Sequence, residues 1–275
     1  MDKLNIRLDA LEQAMQNVNL QKLRSLYPTG EACSQRTVFR NHEARVYSQN
    51  GEDGLLLYIF SKIGTTDKSF VEFGVEDGRE CNTANLSINF GWNGLLMDCD
   101  EENVARAKQF YREVASSRVR VVQCFVTAEN INHYLPKGSV DLLSVDIDGN
   151  DYWVWKAIKV LDPRVVIIEY NAVLGVDKSL TVEYDPNFVR YRKHRSGYYH
   201  GASLAALTKL AGSKGYGLVG CESSGVNAFF VKKELLQSLH EVSVQDAYYP
   251  HLRRLKKEST LQQFEYVKHL PWKSV

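Results

Sequence analysis

Two apolar segments in the first hundred residues each carry an acid at or near their end. The first, Phe70-Val-Glu-Phe-Gly74, enters a turn that contains Gly78, and the second, Gly94-Leu-Leu-Met-Asp98, ends in an aspartate. Glycine lets a backbone approach a ligand closely, and an acid at the tip of the following strand can accept hydrogen bonds from ribose hydroxyls. The pattern is therefore typical of a nucleoside-binding site on an α/β sheet.

The turn after the first segment is acidic. It carries Glu76 and Asp77, and Glu72 precedes it. Carboxylates would repel a pyrophosphate, whereas they attract the ammonium and sulfonium groups of S-adenosylmethionine. The turn therefore favours this methyl donor over NAD, and a solvated acidic turn without a ligand is the alternative.

Other residues are predicted to complete the donor site. Asp98 is the predicted ribose partner, with Asp100 as the weaker alternative. Cys99 and residues 127–129 follow predicted strands and are placed to flank the adenine. Gln49, just before the first helix of the domain, is predicted to reach the amino-acid end of the donor.

A second group of polar residues lies at the tips of the next two predicted strands. Asp146 and Asp148 follow the fourth strand, and Glu169 and Asn171 follow the fifth. Oxygen ligands of this kind bind hard divalent cations, and Asp146, Glu169 and Asn171 are the candidate metal ligands. Alternatively, Asp146 or Asp148 acts as a general base on an acceptor hydroxyl, with a pKa raised by neighbouring acids.

The segment 173–201 interrupts the strand–helix alternation and is rich in tyrosine and basic residues. Long loops at the carboxyl ends of strands commonly carry function. Arginine and tyrosine suit an acceptor with a phosphate or carboxylate group, through bidentate pairing and ring stacking. His200, at the end of this segment, is a third candidate for activating the acceptor.

A strand–helix alternation must position these residues, and the hydrophobic pattern from residue 47 onward predicts one. Val165-Val-Ile-Ile168 is apolar on both faces, as expected in the middle of a parallel sheet. Glu222-Ser-Ser-Gly225 permits an antiparallel hairpin between the last two strands. The predicted strands are 69–74, 94–98, 118–124, 140–146, 164–170, 216–221 and 226–232, and the predicted helices are 53–63, 83–90, 101–115, 129–135, 151–161 and 202–214. The fold class is α/β, with a mostly parallel, Rossmann-like sheet of seven strands.

We predict three parts along the chain. They are an N-terminal helical extension (1–30), the α/β domain (45–235) and a helical tail packed on it (236–275). Residues 1–26 carry apolar side chains at alternating spacings of four and three, which is a short coiled-coil seam. This helix is expected either to form a homodimer or to dock on its own domain.

Composition narrows the class of protein. The chain is 44% hydrophobic and 24% charged, with a net charge of +1, so it shows no general affinity for nucleic acid or membranes. It has no apolar run near the roughly 20 residues that span a bilayer, and no signal-peptide core. The five cysteines are scattered, which favours buried free thiols over disulfides or zinc. These features predict a cytoplasmic protein.

An ordered set of motifs across residues 47–171 resembles the FkbM-type methyltransferases. The matching segments are Tyr47-Ser-Gln-Asn-Gly-Glu-Asp53, Phe70-Val-Glu-Phe-Gly74, Asn82-Thr83, Gly91-Trp-Asn-Gly94 with Asp98, Val145-Asp-Ile-Asp-Gly-Asn-Asp151 and Ile167-Ile-Glu169. Two features depart from the family pattern. Asp148 stands where the family usually has glutamate, and the turn after Gly74 is more acidic than the usual Gly-Ala-x-x-Gly.

The resemblance implies a class I methyltransferase fold with S-adenosylmethionine as donor. It also implies O-methylation of a sugar or another hydroxylated metabolite, in many members during surface-polysaccharide biosynthesis. The expected substrate is a small molecule or saccharide, with phosphorylated acceptors included. The donor-binding residues are then expected to be Gln49, Glu72, Gly74, Gly78, Asn82, Thr83, Asp98 and Cys99. Two alternatives stay open: an NAD-dependent oxidoreductase, and a non-catalytic relative that binds a partner through residues 1–26.

Overall fold

The computed structural model describes residues 34–115, 118–236 and 238–275. The predicted extension (1–30) and its coiled-coil seam (1–26) lie outside these residues. The helices are α1 (Gln35–His42), α2 (Glu52–Ile63), α3 (Ala84–Phe90), α4 (Glu101–Val114), α5 (Ile131–Tyr134), α6 (Asp151–Ala157), α7 (Arg190–Lys193), α8 (Leu204–Ser213), α9 (Val244–Ala247), α10 (Leu252–Leu255) and α11 (Thr260–Glu265). The strands are β1 (Ser69–Phe73), β2 (Asn93–Asp98), β3 (Val119–Gln123), β4 (Gly138–Val145), β5 (Leu161–Glu169), β6 (Leu180–Val182), β7 (Tyr216–Cys221), β8 (Asn227–Lys232) and β9 (Trp272–Ser274).

Seven of the strands form one sheet in the order β3-β2-β1-β4-β5-β8-β7. Strands β1 to β5 run parallel, and β8 is antiparallel to both β5 and β7. This order, with its terminal antiparallel hairpin, confirms the predicted mostly parallel, Rossmann-like sheet of seven strands. Strands β2 and β3 are added on one side of β1, whereas β4 and β5 are added on its other side. The crevice between β1 and β4 is therefore the switch point where ligands bind in open α/β sheets.

Helices and loops cover both faces of the sheet. Along β5, Val166 and Ile168 belong to one hydrophobic cluster, whereas Val165 and Ile167 belong to the cluster on the opposite face. All four side chains are fully buried. Because successive side chains of a strand point to opposite faces, a strand buried on both sides has to be apolar throughout.

Strand β5 begins three residues earlier than predicted, at Leu161, and α6 ends at Ala157 rather than at residue 161. This earlier start brings Pro163 into the strand, although proline has no backbone N–H to donate to a neighbouring strand. In the structure Pro163 pairs in register with Val140 of β4, and β8 joins β5 only from Val165 onward. The proline therefore lies where β5 has one neighbouring strand instead of two.

The C-terminal segment is held against the sheet by several specific contacts. The Tyr170 hydroxyl donates to the Tyr249 carbonyl (2.7 Å), and the Leu252 N–H donates to the Ser224 carbonyl (2.9 Å). A Cβ added to Gly225 would lie 2.4 Å from the carbonyl oxygen of Pro250, so the two backbones are in close contact. These contacts fix the segment beside the end of β5 and the β7–β8 turn.

A second, two-stranded sheet ties this segment to the long insertion at 173–201. Strand β6 of the insertion pairs antiparallel with β9, with Leu180 opposite Ser274 and Val182 opposite Trp272. Each strand has three residues, too few for the sequence to show an alternating pattern.

Two predictions from composition concern the described residues as well. Cys81, Cys124 and Cys221 are buried free thiols as expected, whereas Cys99 is exposed. Within 34–115, 118–236 and 238–275, the helices lack the length and apolar character needed to cross a membrane.

Candidate active site

A cleft of about 760 Å³ opens at the carboxyl ends of β1, β2, β4 and β5. This is the edge of the sheet where the strand order reverses, and it is the expected position of a ligand site. The predicted site residues that line the cleft are Gln49, Glu72, Gly74, Asn82, Asp98, Cys99, Asp146, Asp148 and Glu169. Four others, Gly78, Thr83, Asn171 and His200, are not part of its lining.

Glu72 organises the turn after β1. Its carboxylate accepts hydrogen bonds from the backbone N–H groups of Asn82 (2.9 Å) and Thr83 (3.0 Å). It also accepts from the hydroxyls of Thr83 (2.5 Å) and Ser144 (3.0 Å). Burial raises the pKa of Glu72, and these hydrogen bonds oppose the shift. Protein N–H and O–H groups occupy both carboxylate oxygens of Glu72. Glu72 and Thr83 therefore fix the chain between β1 and α3, and the Asn82 side chain that they hold lines the cleft.

Gly74 and Gly78 are required by close packing. Gly74 has a φ of +79°, and a Cβ added there would lie 1.5 Å from the carbonyl oxygen of Asp146. Gly78 has a φ of +75°, and its Cβ would lie 2.8 Å from the ring of Tyr111. Gly74 therefore lets the tips of β1 and β4 meet, while Gly78 seats the turn on α4 instead of facing the cleft.

Asp98 ends β2 with its carboxylate at the cleft. Its Oδ2 accepts from the Glu76 N–H (2.8 Å) and its Oδ1 from the Asp100 N–H (2.9 Å). Each carboxylate oxygen has a further lone pair, so Asp98 can still accept hydrogen bonds from a ligand. Asp100, the weaker alternative, instead caps α4 by accepting from the Asn103 N–H (2.8 Å).

The wall next to Asp98 differs from the predicted adenine site. Cys99 lines the cleft, but residues 127–129 do not; Phe125 and Val126 take their place. Phe125, two residues beyond the end of β3, is 46% exposed. An exposed aromatic ring at this position provides a stacking surface for a planar base. In the sequence, a phenylalanine shortly after the third predicted strand is the signal that identifies this stacking surface.

Asp146 presents an unpaired carboxylate to the cleft. It is half-buried, and no hydrogen bond reaches its side chain from the described residues. Burial and the nearby charges of Glu169, Asp148 and Asp151 raise its pKa well above the usual value. A carboxylate that faces a cleft and has a raised pKa is suited to act as a general base.

Arg190, from the long insertion, is surrounded by polar side chains. Its Nη1 forms an ion pair with the Asp148 carboxylate and lies 3.8 Å from Oε1 of Glu169. Its Nε donates to the Gly197 carbonyl (2.8 Å), and its Nη2 lies 2.9 Å from Nε2 of His200. The backbone of Asp148 has a φ of +57°, a left-handed conformation that aspartate tolerates better than most residues.

Of the three predicted metal ligands, Asp146 and Glu169 line the cleft together, whereas Asn171 does not line it. Asn171 donates to the carbonyls of Tyr198 and His200 (both 2.8 Å) and accepts from the Val173 N–H (3.1 Å), so its amide is occupied. A different set, Asp148, Glu169 and His200, has ligand atoms within 4.8 Å of one another. The guanidinium of Arg190 contacts all three, so this set does not fit a divalent cation while Arg190 is in place.

His200 lies behind the wall of the cleft, which corrects the prediction that it faces the acceptor. It is 1% exposed, and its Nε2 is approached by Arg190 and, at 3.4 Å, by Arg254. Because arginine only donates, Nε2 must accept, and the ring proton is on Nδ1, 3.3 Å from Oε2 of Glu169. Burial and the two arginines lower the pKa of His200 below its ordinary value, and this lowering outweighs the opposing effect of the Glu169 carboxylate. His200 is therefore neutral and positions its neighbours.

Glu169 is the charged partner in this group. Burial opposes its ionisation, but the contact with the Nδ1–H of His200 and the positive charges of Arg190 and Arg254 outweigh that effect and lower its pKa. The side chain thus carries a negative charge at neutral pH. It balances part of the positive charge on the two arginines.

Most of the predicted basic segment does not reach the cleft. Arg190, Tyr191, Ser196 and Tyr198 line it, whereas Lys193 pairs with Asp185 (2.6 Å) at the surface. The C-terminal segment, in which the sequence shows no chemical motif, supplies additional basic residues. These are His251, Arg253, Arg254 and Lys257. The cleft therefore has an acidic side at the tips of β1 and β2 and a basic side beyond β5.

Strand order and cleft position together define a Rossmann-like α/β fold with a ligand cleft at the switch point of its sheet. No family model and no curated protein matches the sequence. Similar solved structures include S-adenosylmethionine-dependent methyltransferases from Clostridium acetobutylicum (13% identity, 64% of this chain and 88% of that chain, TM-score 0.43) and Aquifex aeolicus (14%, 64% and 88%, 0.42). Another is the N-terminal domain of EvdMO1 in the presence of SAH and D-fucose (12%, 66% and 82%, 0.42). The similarity extends to the fold alone, and the chemistry has to be derived from the cleft.

Proposed function

We propose that the protein is an S-adenosylmethionine-dependent O-methyltransferase whose acceptor is a sugar-like molecule with negative charge. One observation carries this proposal. A single cleft holds a ribose-type acid, Asp98, at the tip of β2 and an unpaired carboxylate, Asp146, at the tip of β4. In class I sheets these two positions suit the donor nucleoside and the acceptor hydroxyl, respectively.

The acidic side of the cleft fits the donor. Glu76, Glu80 and Asp98 line it together with Asn82 and the exposed ring of Phe125. The carboxylates attract the cationic ammonium and sulfonium groups, whereas they would repel the pyrophosphate of NAD. When bound, S-adenosylmethionine supplies a methyl group that its sulfonium already activates.

Asp146 is the proposed general base. Its carboxylate would accept the proton of the acceptor hydroxyl as the oxygen attacks the methyl carbon. The rest of the rate enhancement is assigned to positioning of the two reactants in one cleft. Asp148 is less suited to this role because its carboxylate is paired with Arg190.

Membership of the FkbM type and a role in surface-polysaccharide biosynthesis belong to the same proposal. The segment at 47–53 supports it through its local structure. The Asp53 carboxylate accepts from the backbone N–H groups of Val46, Tyr47 and Ser48, which turns the chain so that Gln49 lies at the rim of the cleft. The carboxylate of Asp53 therefore has a structural role in this motif, because it holds the turn that positions Gln49.

Calorimetric titration with S-adenosylhomocysteine, with and without magnesium or manganese, tests the donor. Micromolar binding that is independent of metal is the expected result, and NAD should not displace S-adenosylhomocysteine. Absence of S-adenosylhomocysteine binding, or tighter binding of NAD, would reject the proposal. Donor binding without methyl transfer to any pool of hydroxylated acceptors would favour the non-catalytic alternative.

A further inference from the structure

Arg254 is a partly buried cation without an ion pair. Among the described residues no carboxylate lies within 4.0 Å of its guanidinium, and its hydrogen-bonding contacts are with Nε2 of His200 at 3.4 Å. Arg190, which approaches the same nitrogen, is paired with Asp148. Since a guanidinium has five N–H donors, most of the donors of Arg254 are available to a ligand in the cleft.

Two further cations on the same short segment are also unpaired. Arg253 and Lys257 line the cleft and form neither ion pairs nor side-chain hydrogen bonds with the described residues. Lys256, between them in sequence, is exposed and does not line the cleft. The cleft-facing side of the segment is therefore selectively basic.

The position of these cations is set by the fold. Contacts from Ser224, Tyr170 and Gly225 fix the chain on either side of Pro250, as described above. The guanidinium of Arg254 lies over the ring of Tyr198, 5.6 Å from its centre, and the Tyr198 hydroxyl donates to Glu258 (2.9 Å). The side chain is thus held at the wall of the cleft before any ligand binds.

We propose that Arg253, Arg254 and Lys257 form a binding subsite for a phosphoryl group of the acceptor. This proposal rests on the proposed methyl transfer. The acceptor would then be a phosphorylated sugar, either a sugar monophosphate or a nucleotide diphosphate sugar. Three unpaired cations match the charge of about −2 and the several oxygens of a phosphoryl group better than the single charge of a carboxylate. The acceptor then extends from the basic side of the cleft to Asp146.

S-adenosylmethionine itself carries a carboxylate, which is an alternative ligand for the three cations. The acids that suit the donor lie at the tips of β1 and β2, whereas Leu252, at the start of the basic segment, is bonded to the turn after β7. In the sheet, β4 and β5 lie between these two positions. The order of the strands therefore separates the subsite from the donor side of the cleft.

Calorimetry with inorganic pyrophosphate tests the subsite. It is done on the free protein and on protein saturated with S-adenosylhomocysteine, with sodium acetate at equal ionic strength as the carboxylate probe. The test variants are Arg254→Gln and the double variant Arg253→Ala/Lys257→Ala, whose exposed side chains can be removed without disturbing His200. Lys256→Ala is the matched control, since it removes one positive charge from the same segment.

Pyrophosphate is expected to bind both the free protein and the protein saturated with S-adenosylhomocysteine, whereas acetate is expected to bind neither. Each test variant should weaken pyrophosphate binding by about tenfold to a hundredfold, the factor for losing a charge-assisted hydrogen bond, while Lys256→Ala stays unchanged. Equal binding by all variants, or none by the wild type, would overturn the subsite while leaving donor affinity as measured. Loss of S-adenosylhomocysteine affinity in the test variants would instead assign the cations to the donor carboxylate. A protein that binds no S-adenosylhomocysteine fails the proposed function separately.

Discussion

Nη2 of Arg190 lies 2.9 Å from Nε2 of His200. The contact joins the long insertion to the buried end of β5, because His200 in turn faces Glu169. It also fixes the protonation of the ring, since Nε2 can only accept from a guanidinium. A histidine in this state is a neutral acceptor that holds two arginines, Arg190 and Arg254, at the wall of the cleft.

A variant that keeps this acceptor should keep the site. In His200→Gln the amide oxygen can replace Nε2, whereas His200→Leu leaves the two guanidinium groups without it. We expect His200→Gln to bind S-adenosylhomocysteine normally and to retain more turnover than His200→Leu, as measured by calorimetry and methyl transfer. Complete loss of turnover in a well-folded His200→Gln variant would show that the imidazole itself takes part in the chemistry.

The same residue should make stability depend on pH. Burial lowers the pKa of His200 below its ordinary value of 6.5, so the unfolded chain takes up its proton at a higher pH than the folded chain. Its contribution to the free energy of unfolding is complete above pH 6.5 and is lost as the pH falls through the folded pKa. Urea unfolding at pH 7.5, 6.5 and 5.5 should show a steeper loss for the wild type than for His200→Gln. His251, whose pKa burial and Arg254 lower to about 4, acts in the same direction in both proteins. Parallel curves would contradict the prediction.

Asp98 should contribute directly to donor affinity. Replacing it with alanine removes the proposed acceptor for the ribose hydroxyls and should weaken S-adenosylhomocysteine binding by about 1–3 kcal/mol. Asp100→Ala, which removes a helix cap two residues away, is the control. Similar affinity of the wild type and Asp98→Ala in calorimetry would remove Asp98 from the donor site.

Asp146 should govern turnover and its pH dependence. Asp146→Asn keeps the shape of the side chain and removes the base, so S-adenosylhomocysteine binding should persist while turnover falls by about 10²–10⁴-fold. Because the pKa of Asp146 is raised, the wild-type rate should increase with pH until this carboxylate ionises, and the variant should lose that increase. Asp148→Asn is the control for a general loss of negative charge. A pH profile unchanged in Asp146→Asn would assign the base to another residue.

Gly74 should be less replaceable than other glycines with positive φ. In Gly74→Ala the new methyl group meets the carbonyl oxygen of Asp146, whereas at Gly91, with a φ of +72°, a Cβ has no neighbour within 4 Å. Gly91→Ala should cost about 1–2 kcal/mol of unfolding free energy, the cost of a left-handed alanine. Urea unfolding should show a clearly larger loss for Gly74→Ala. Equal losses would mean that the tips of β1 and β4 can separate.

The sequence predicted the sheet and the acidic side of the site because both depend on local patterns. Strand tips follow directly from apolar runs, and parallel strands bring their carboxyl ends to one edge. Asp98 and Asp146 could therefore be placed in a common cleft without knowledge of any long-range contact. The glycine at 74 was recognised for its backbone freedom, and the structure adds the close contact that requires it.

The basic side could not be predicted in the same way. Arg254 reaches the cleft because residues 248–252 bind to Tyr170 and Ser224, and nothing near Arg254 in the sequence indicates those contacts. His200 was expected to face the acceptor, since its position in the chain is near the open strand ends. Its direction is set instead by Glu169 and two arginines that are distant in sequence. Side-chain direction in a long insertion depends on its packing partners, and local propensity does not specify those.

The pairing of β6 with β9 has a consequence for redesign of the protein. It joins the insertion at 173–201 to the C-terminal segment, and both segments contribute to the same wall of the cleft. A chimaera that received only the insertion of another protein of this fold would present its strand to a mismatched partner. The two segments should therefore be transplanted together, as one exchangeable cassette.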